Sequence, residues 1–201
     1  MPVFGPPVDD DWHGEEVLAV LAPGQGAQKP GMLTDWLDVP GAESFFRWAG
    51  AVADADLLTL GTSGDAEAIK DTAVTQPLVV AMSLFIAREL GALPGPAADA
   101  PDAGGEVVIA GHSVGELTAA ALAGVLSVEA AIALTAVRGR AMAAACAQTP
   151  TGMSAVLGGD TDEVLAAIKE HGLTPANMNG AGQIVAAGAL DGLEALRAAP
   201  P

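Results

Sequence analysis

The sequence predicts an α/β fold, and three observations carry that prediction. A β-branched apolar run, Glu106-Val107-Val108-Ile109-Ala110, ends in Gly111-His112-Ser113-Val114-Gly115 and passes at once into an alanine-rich helical stretch. A second apolar run, Val17-Leu18-Ala19-Val20-Leu21-Ala22, is stopped by Pro23-Gly24 and reads as a buried strand of a parallel sheet. After Pro150-Thr151-Gly152 the composition shifts, and the order of periodic segments becomes β-α-β-β-α. Hydrophobic residues make up 51 % of the 201-residue chain and aromatics only 3 %, so the core must be aliphatic.

Taken in order, residues 1–16 are proline-rich and acidic and read as a disordered lead. A glycine-rich loop, Gly24-Gln25-Gly26-Ala27-Gln28, directly follows the first strand. Lys29 stands where a dinucleotide fingerprint needs its third glycine, so the loop suits placement of a backbone donor better than phosphate binding. Residues 32–58 read as helical in pieces, with Phe45, Phe46 and Trp48 packing the core. Asp65 is placed to cap a short helix through Lys70. Thr75-Gln76-Pro77 reads as the start of a stronger helix, with Pro77 in its first turn, running to Leu90 and stopped by Gly91. Residues 91–105 read as a surface loop. Ser127 caps a long helix to about Ala147, which carries Arg138, Arg140 and Cys146. The last fifty residues predict a strand over 153–157, a helix over 161–171, strands over 175–179 and 183–187, and a helix from Leu190. That order is a ferredoxin-like unit without its last strand. The organisation expected is a lead over 1–16, a large α/β subdomain over 17–150 and a small one over 151–201.

Strand, sharp turn and helix around Gly-His-Ser-Val-Gly make a nucleophile elbow. Glycines on both sides of Ser113 remove the Cβ atoms that would collide as strand and helix close on each other. The helix starting there aims its first N–H groups and positive dipole end at any oxyanion formed on the serine. A net charge of −17 argues against nucleic acid and anionic membrane surfaces as partners. No segment reaches the ~18 continuous apolar residues of a membrane span, and the start of the chain lacks the basic and apolar regions of a secretory signal. One cysteine, Cys146, excludes an internal disulfide and suits a reducing, cytoplasmic setting; it reads as a buried, inert thiol. Zinc-type Cys/His spacing is absent.

Five segments carry a family resemblance. They are Ala22-Pro23-Gly24-Gln25-Gly26-Ala27-Gln28, Thr75-Gln76-Pro77, Gly111-His112-Ser113-Val114-Gly115-Glu116, Arg138-Gly139-Arg140-Ala141-Met142, and Asn177-Met178-Asn179-Gly180-Ala181-Gly182-Gln183-Ile184-Val185-Ala186-Ala187-Gly188. In this order they resemble malonyl-CoA:acyl carrier protein transacylases. The resemblance implies an α/β-hydrolase-like large subdomain with an inserted ferredoxin-like small subdomain. It implies transfer of a malonyl group from malonyl-CoA to the thiol of acyl carrier protein in fatty acid biosynthesis, with no resident cofactor and a monomeric state. Ser113 would accept the acyl group, Gln25 and Val114 would give the backbone N–H groups of the oxyanion hole, and Arg138 would hold the malonyl carboxylate. Arg138 lies 25 residues after the serine between small or apolar neighbours, which fits a partly buried guanidinium.

One departure stands out. The family's general base is a histidine beyond the small subdomain's last strand, and none of His13, His112 and His171 matches it. The expectation is that the 201-residue chain alone does not turn over. Two other functions share the elbow or the fold: a serine hydrolase of the patatin-like lipase kind, and a catalytically incomplete fragment of the transacylase. Lys29, Arg138 and Arg140 all neighbour the predicted site and predict a positive mouth on an otherwise negative surface.

Overall fold

The computed structural model describes residues 17–92, 106–180 and 182–201. The expected lead, with His13, and residues 93–105 of the expected loop lie outside them. The chain divides into two compact units, Met1–Arg140 and Ala141–Pro201.

In the first unit β1 (Val17–Ala22) and β2 (Glu106–Gly111) pair in parallel, from Val17 opposite Glu106 to Ala22 opposite Gly111. Parallel neighbours need a crossover rather than a hairpin. Helices α1 (Ala42–Ala53), α2 (Leu57–Ser63) and α3 (Thr72–Glu89) lie in that crossover. α4 (Gly115–Leu122) follows β2, and α5 (Val128–Cys146) spans the divide between the units. α3 is buried without interruption from Thr75 to Met82, as expected of a helix sunk in a core. Around it pack Leu33, Phe46, Leu57, Val114, Ala131 and Ile132. Phe46 and Phe85 meet with ring centroids 5.0 Å apart, and the Arg88 guanidinium covers Phe85 at 4.6 Å. α5 buries Ala131, Ile132, Thr135, Ala136 and Gly139, the three-and-four spacing of one helix face.

The second unit is an antiparallel sheet of β3 (Thr151–Leu157), β5 (Gln183–Ala189) and β4 (Thr174–Asn179), in that spatial order. α6 (Thr161–Glu170) and α7 (Leu190–Ala198) supply its core, in which Val164, Ile168, Leu193 and Leu196 meet Ile184 and Ala186 of β5. Asp160 caps α6 by accepting from the N–H groups of Asp162 and Glu163.

Several expectations need correction. α3 begins at Thr72, not Thr75, because Asp71 caps it by accepting from the Ala73 N–H at 2.8 Å. Pro77 therefore sits inside the helix rather than in its first turn. Asp65 does accept from the Ala68 N–H at 2.8 Å, but the segment to Lys70 forms turns and no helix. Cys146 is exposed, not buried: the buried face of α5 ends at Gly139, and the last turn lies off that stripe. Trp48 is 39 % exposed and only skirts the core. β1 was expected to be buried on both faces. Leu18 and Leu21 of β1, and the adjacent Val107 and Val108 of β2, are instead open to solvent; each pair points to opposite faces of the sheet, so the described elements leave apolar surface open on both. Among the described residues no helix is long and apolar enough to cross a membrane.

Candidate active site

The elbow is built by three backbone contacts. His112 N–H donates to the Ala22 carbonyl at 3.0 Å, which ties the end of β2 to the end of β1. Gly115 N–H then donates to the His112 carbonyl at 2.9 Å and Glu116 N–H to the Ser113 carbonyl at 3.0 Å, so the chain turns into α4 within two residues. Ser113 sits at the apex with φ of +55°, a left-handed conformation that costs a non-glycine residue energy and lifts its side chain off the turn. A Cβ at Gly111 would fall 2.3 Å from the Gly115 carbonyl oxygen, and one at Gly115 would fall 2.3 Å from the Ala22 oxygen. The flanking glycines are thus required by contact, as the sequence predicts.

One charged side chain reaches the serine from another element, and a polar one holds that charge in turn. Arg138 of α5, half-buried, donates through Nη2 to Ser113 Oγ at 3.2 Å. Through Nη1 it donates to Gln76 Oε1 at 2.6 Å, and Gln76 is fully buried on α3. The glycine next to Arg138 allows this approach, because a Cβ at Gly139 would lie 2.8 Å from the Thr72 carbonyl oxygen. One turn before Gln76, on the same face of α3, the Thr72 hydroxyl accepts from Gln25 Nε2 at 3.2 Å and steadies the loop after β1. Among the described residues, neither the Gln25 N–H nor the Val114 N–H has a hydrogen-bond acceptor. Gln76 and Thr72 are the residues that sequence reasoning missed. Thr75-Gln76-Pro77 was visible as a motif, but the partners lie 62 and 47 residues away in sequence.

Other expected participants are elsewhere. Arg140 donates through Nη1 to the Ala53 carbonyl at 2.9 Å, at the C-terminal end of α1, and so serves that helix. Lys29 borders a cavity of about 510 Å³ walled by β1, α3 and α4; Ser113, Gln76 and Arg138 do not line it. Chemistry therefore points to the elbow and not to that cavity. His112 adjoins the serine in sequence, but its ring lies toward Gly24, where a Cβ would be 2.8 Å from Nδ1. Among the described residues no histidine hydrogen-bonds Ser113, and no His, Cys, Asp and Glu cluster could hold a metal ion.

A strained serine between a parallel strand and a helix, with a guanidinium on its hydroxyl, is a scaffold for serine-dependent acyl chemistry. Comparison with known proteins agrees with that class: the chain belongs to the acyl transferase domain family, whose model matches residues 20–199. It is 53 % identical over 186 residues to a malonyl CoA-acyl carrier protein transacylase of Mycobacterium tuberculosis, covering 92 % of this chain and 59 % of the relative. A crystal structure of that organism's transacylase superposes with a TM-score of 0.81 at 50 % identity, over 92 % of this chain and 60 % of the other. A malonyl-transacylase solved in complex with its type II PKS acyl-carrier protein matches with a TM-score of 0.71 at 32 % identity, over 92 % and 60 %. The chain thus spans about 60 % of the length of the relatives it matches.

Proposed function

We propose that this chain is the nucleophile-bearing part of a malonyl-CoA:acyl carrier protein transacylase acting in fatty acid biosynthesis. The observation that carries the reading is the Arg138 guanidinium on Ser113 Oγ. A carboxylate-binding cation at the nucleophile suits a donor with a free carboxylate, and it is idle in a lipase. The relatives named above support the same donor and acceptor.

In the first half-reaction Ser113 Oγ attacks the thioester carbonyl carbon of malonyl-CoA. The Oγ–C bond forms, the C–S bond breaks, the hydroxyl proton passes to a base, and the coenzyme A sulfur leaves to take up a proton. The oxyanion of the tetrahedral intermediate falls to the backbone N–H groups of Val114 and Gln25. Arg138 pairs with the malonyl carboxylate. In the second half the carrier protein's thiol attacks the serine ester and restores Ser113. Neither half calls for a resident cofactor, since the thioester is already activated.

The same reading treats β1 and β2 as part of an α/β-hydrolase-like subdomain over 17–150. It treats β3 to α7 as an incomplete ferredoxin-like subdomain over 151–201, in a monomeric, cytoplasmic protein. The histidine base is not supplied by His112, whose ring lies toward Gly24. We therefore expect the 201-residue chain to accept one malonyl group slowly and not to turn over. Loss of a base still leaves roughly 10³-fold catalysis from an oxyanion hole and binding. The test is transfer to acyl carrier protein under excess malonyl-CoA. A single adduct without continued release of coenzyme A supports the reading, and faster hydrolysis than transfer would favour the hydrolase.

A further inference from the structure

We infer that Gln76 is a positioning residue that sets donor chain length: it holds the Arg138 guanidinium at one distance from Ser113, and so selects a three-carbon diacyl donor over longer ones. The inference rests on the reading of Arg138 as the carboxylate holder and goes one residue further.

A long arginine side chain on a helix surface samples many rotamers and can follow a ligand. Arg138 is pinned at both ends of its fork, by Gln76 Oε1 at 2.6 Å and by Ser113 Oγ at 3.2 Å. The serine contact is the one a donor displaces as it arrives. The Gln76 contact is independent of the donor, and Gln76 itself cannot move freely: it is fully buried and sits on α3, the most enclosed helix of the unit. Gly139 presses the Arg138 turn of α5 against Thr72 and Ala73, closing the other route by which the arginine could shift. Guanidinium carries five N–H donors, so the one given to Gln76 leaves enough to grip a carboxylate.

The distances then decide what fits. Each additional carbon in a diacyl chain moves the far carboxylate out by up to about 1.5 Å, one C–C bond. Hydrogen bonds of this kind tolerate only about 0.5 Å of spread around their preferred length. An arginine fixed beside Oγ matches a carboxylate two bonds from the thioester carbon. A four-carbon diacyl group must fold back to reach it. The chemical type of residue 76 also matters. A glutamine oxygen accepts strongly yet is neutral, so it anchors the arginine without cancelling the charge needed for the donor. A glutamate in its place would hold the same position but form an ion pair with it.

The test measures dissociation constants of malonyl-, succinyl- and acetyl-CoA on the full chain carrying Ser113→Ala, which stops acylation and makes the readout independent of any base. With Gln76 intact, malonyl-CoA binds more tightly than succinyl-CoA. Gln76→Met keeps the side-chain length and removes the acceptor. It weakens malonyl-CoA about tenfold, the worth of one hydrogen bond to a charged group, with succinyl-CoA changed far less, so the ratio collapses. Gln76→Glu retains the acceptor: both diacyl donors weaken relative to acetyl-CoA while the malonyl-to-succinyl ratio survives. Equal weakening of all three donors by Gln76→Met, with the ratio unchanged, would make Gln76 merely structural and overturn the inference. Should Gln76→Met fail to fold, a malonyl-to-succinyl ratio lost in Gln76→Glu overturns it as well. Arg138→Ala separates the two ideas. If it leaves the diacyl preference intact, the carboxylate role of Arg138 itself is wrong; if it abolishes that preference while Gln76→Met does not, only the role of Gln76 is wrong. Failure of the chain with Gln76 intact to prefer malonyl-CoA over succinyl-CoA contradicts the inference outright.

Discussion

At Ser113 a conformation that costs energy and a contact that gives it direction coincide. The positive φ persists because the turn is over-determined: His112 is bound to β1, and Gly115 is wedged against Ala22. On the proposed reading, Arg138 then defines what the serine can receive. Arg138→Ala should cost a malonyl donor roughly 2–4 kcal/mol of transition-state binding, because a charge-assisted, bidentate contact is lost from a half-buried site. An acetyl donor has no carboxylate to lose, so the rate at which it acylates Ser113 in a single turnover should fall far less, and an equal loss for both donors would refute the role. The serine was legible in the sequence because an elbow is local: spacing of glycines, a strand before and a helix after suffice. Arg138 was legible through its flanks and the family resemblance. Gln76 and Thr72 were not, because their partners come from elements that only tertiary packing brings together.

Among the elements, caps set boundaries that periodicity alone misplaces. The apolar run of α3 begins near Thr75, but Asp71 offers its carboxylate to the Ala73 N–H and the helix extends back to Thr72. That extension brings Thr72 under Gln25. Ser127 was easier to place, since it directly precedes the run it caps, and its Oγ accepts from the Ala130 N–H at 3.0 Å. Cys146 misled because an alanine-rich helix looks apolar on every face, whereas α5 buries only one stripe. Asp56 caps α2, and hydrogen bonds from Thr59, first from its side chain and then from its backbone N–H, hold its carboxyl below the ordinary 3.8. A depressed folded value means stability that is present above 3.8 and lost as pH falls through the lowered value. Asp56→Ala should therefore lower Tm by a constant margin near neutral pH, and the margin should shrink in acid below that range. A margin independent of pH would show that the charge plays no part in the cap.

For the molecule as a whole, the first unit leaves apolar strand surface open. Leu21 is 74 % exposed, and Leu18, Val107 and Val108 are also open, on strands whose composition suits burial on both faces. The 201-residue chain should self-associate through such surface. Leu21→Lys should raise the concentration at which light scattering appears while changing stability by no more than about 0.5 kcal/mol, as for other exposed positions. Unaltered scattering would acquit that face. The net charge of −17 meets only eight Lys and Arg residues, and Arg47, Arg88 and Lys70 each neighbour a glutamate. Arg140 is committed to α1 and Lys29 borders a cavity that Ser113 does not line, so of the three cations expected at the mouth Arg138 alone bonds the serine among the described residues.

The central claim is that Ser113 takes a malonyl group because Arg138 holds its carboxylate. The direct measurement is intact mass and peptide mapping after incubating the chain with equal malonyl-CoA and acetyl-CoA. The account predicts one adduct, malonyl rather than acetyl, mapped to Ser113 and absent from Ser113→Ala. A malonyl adduct that persists on Ser113→Ala, or acetyl and malonyl adducts formed equally on Ser113, would contradict it.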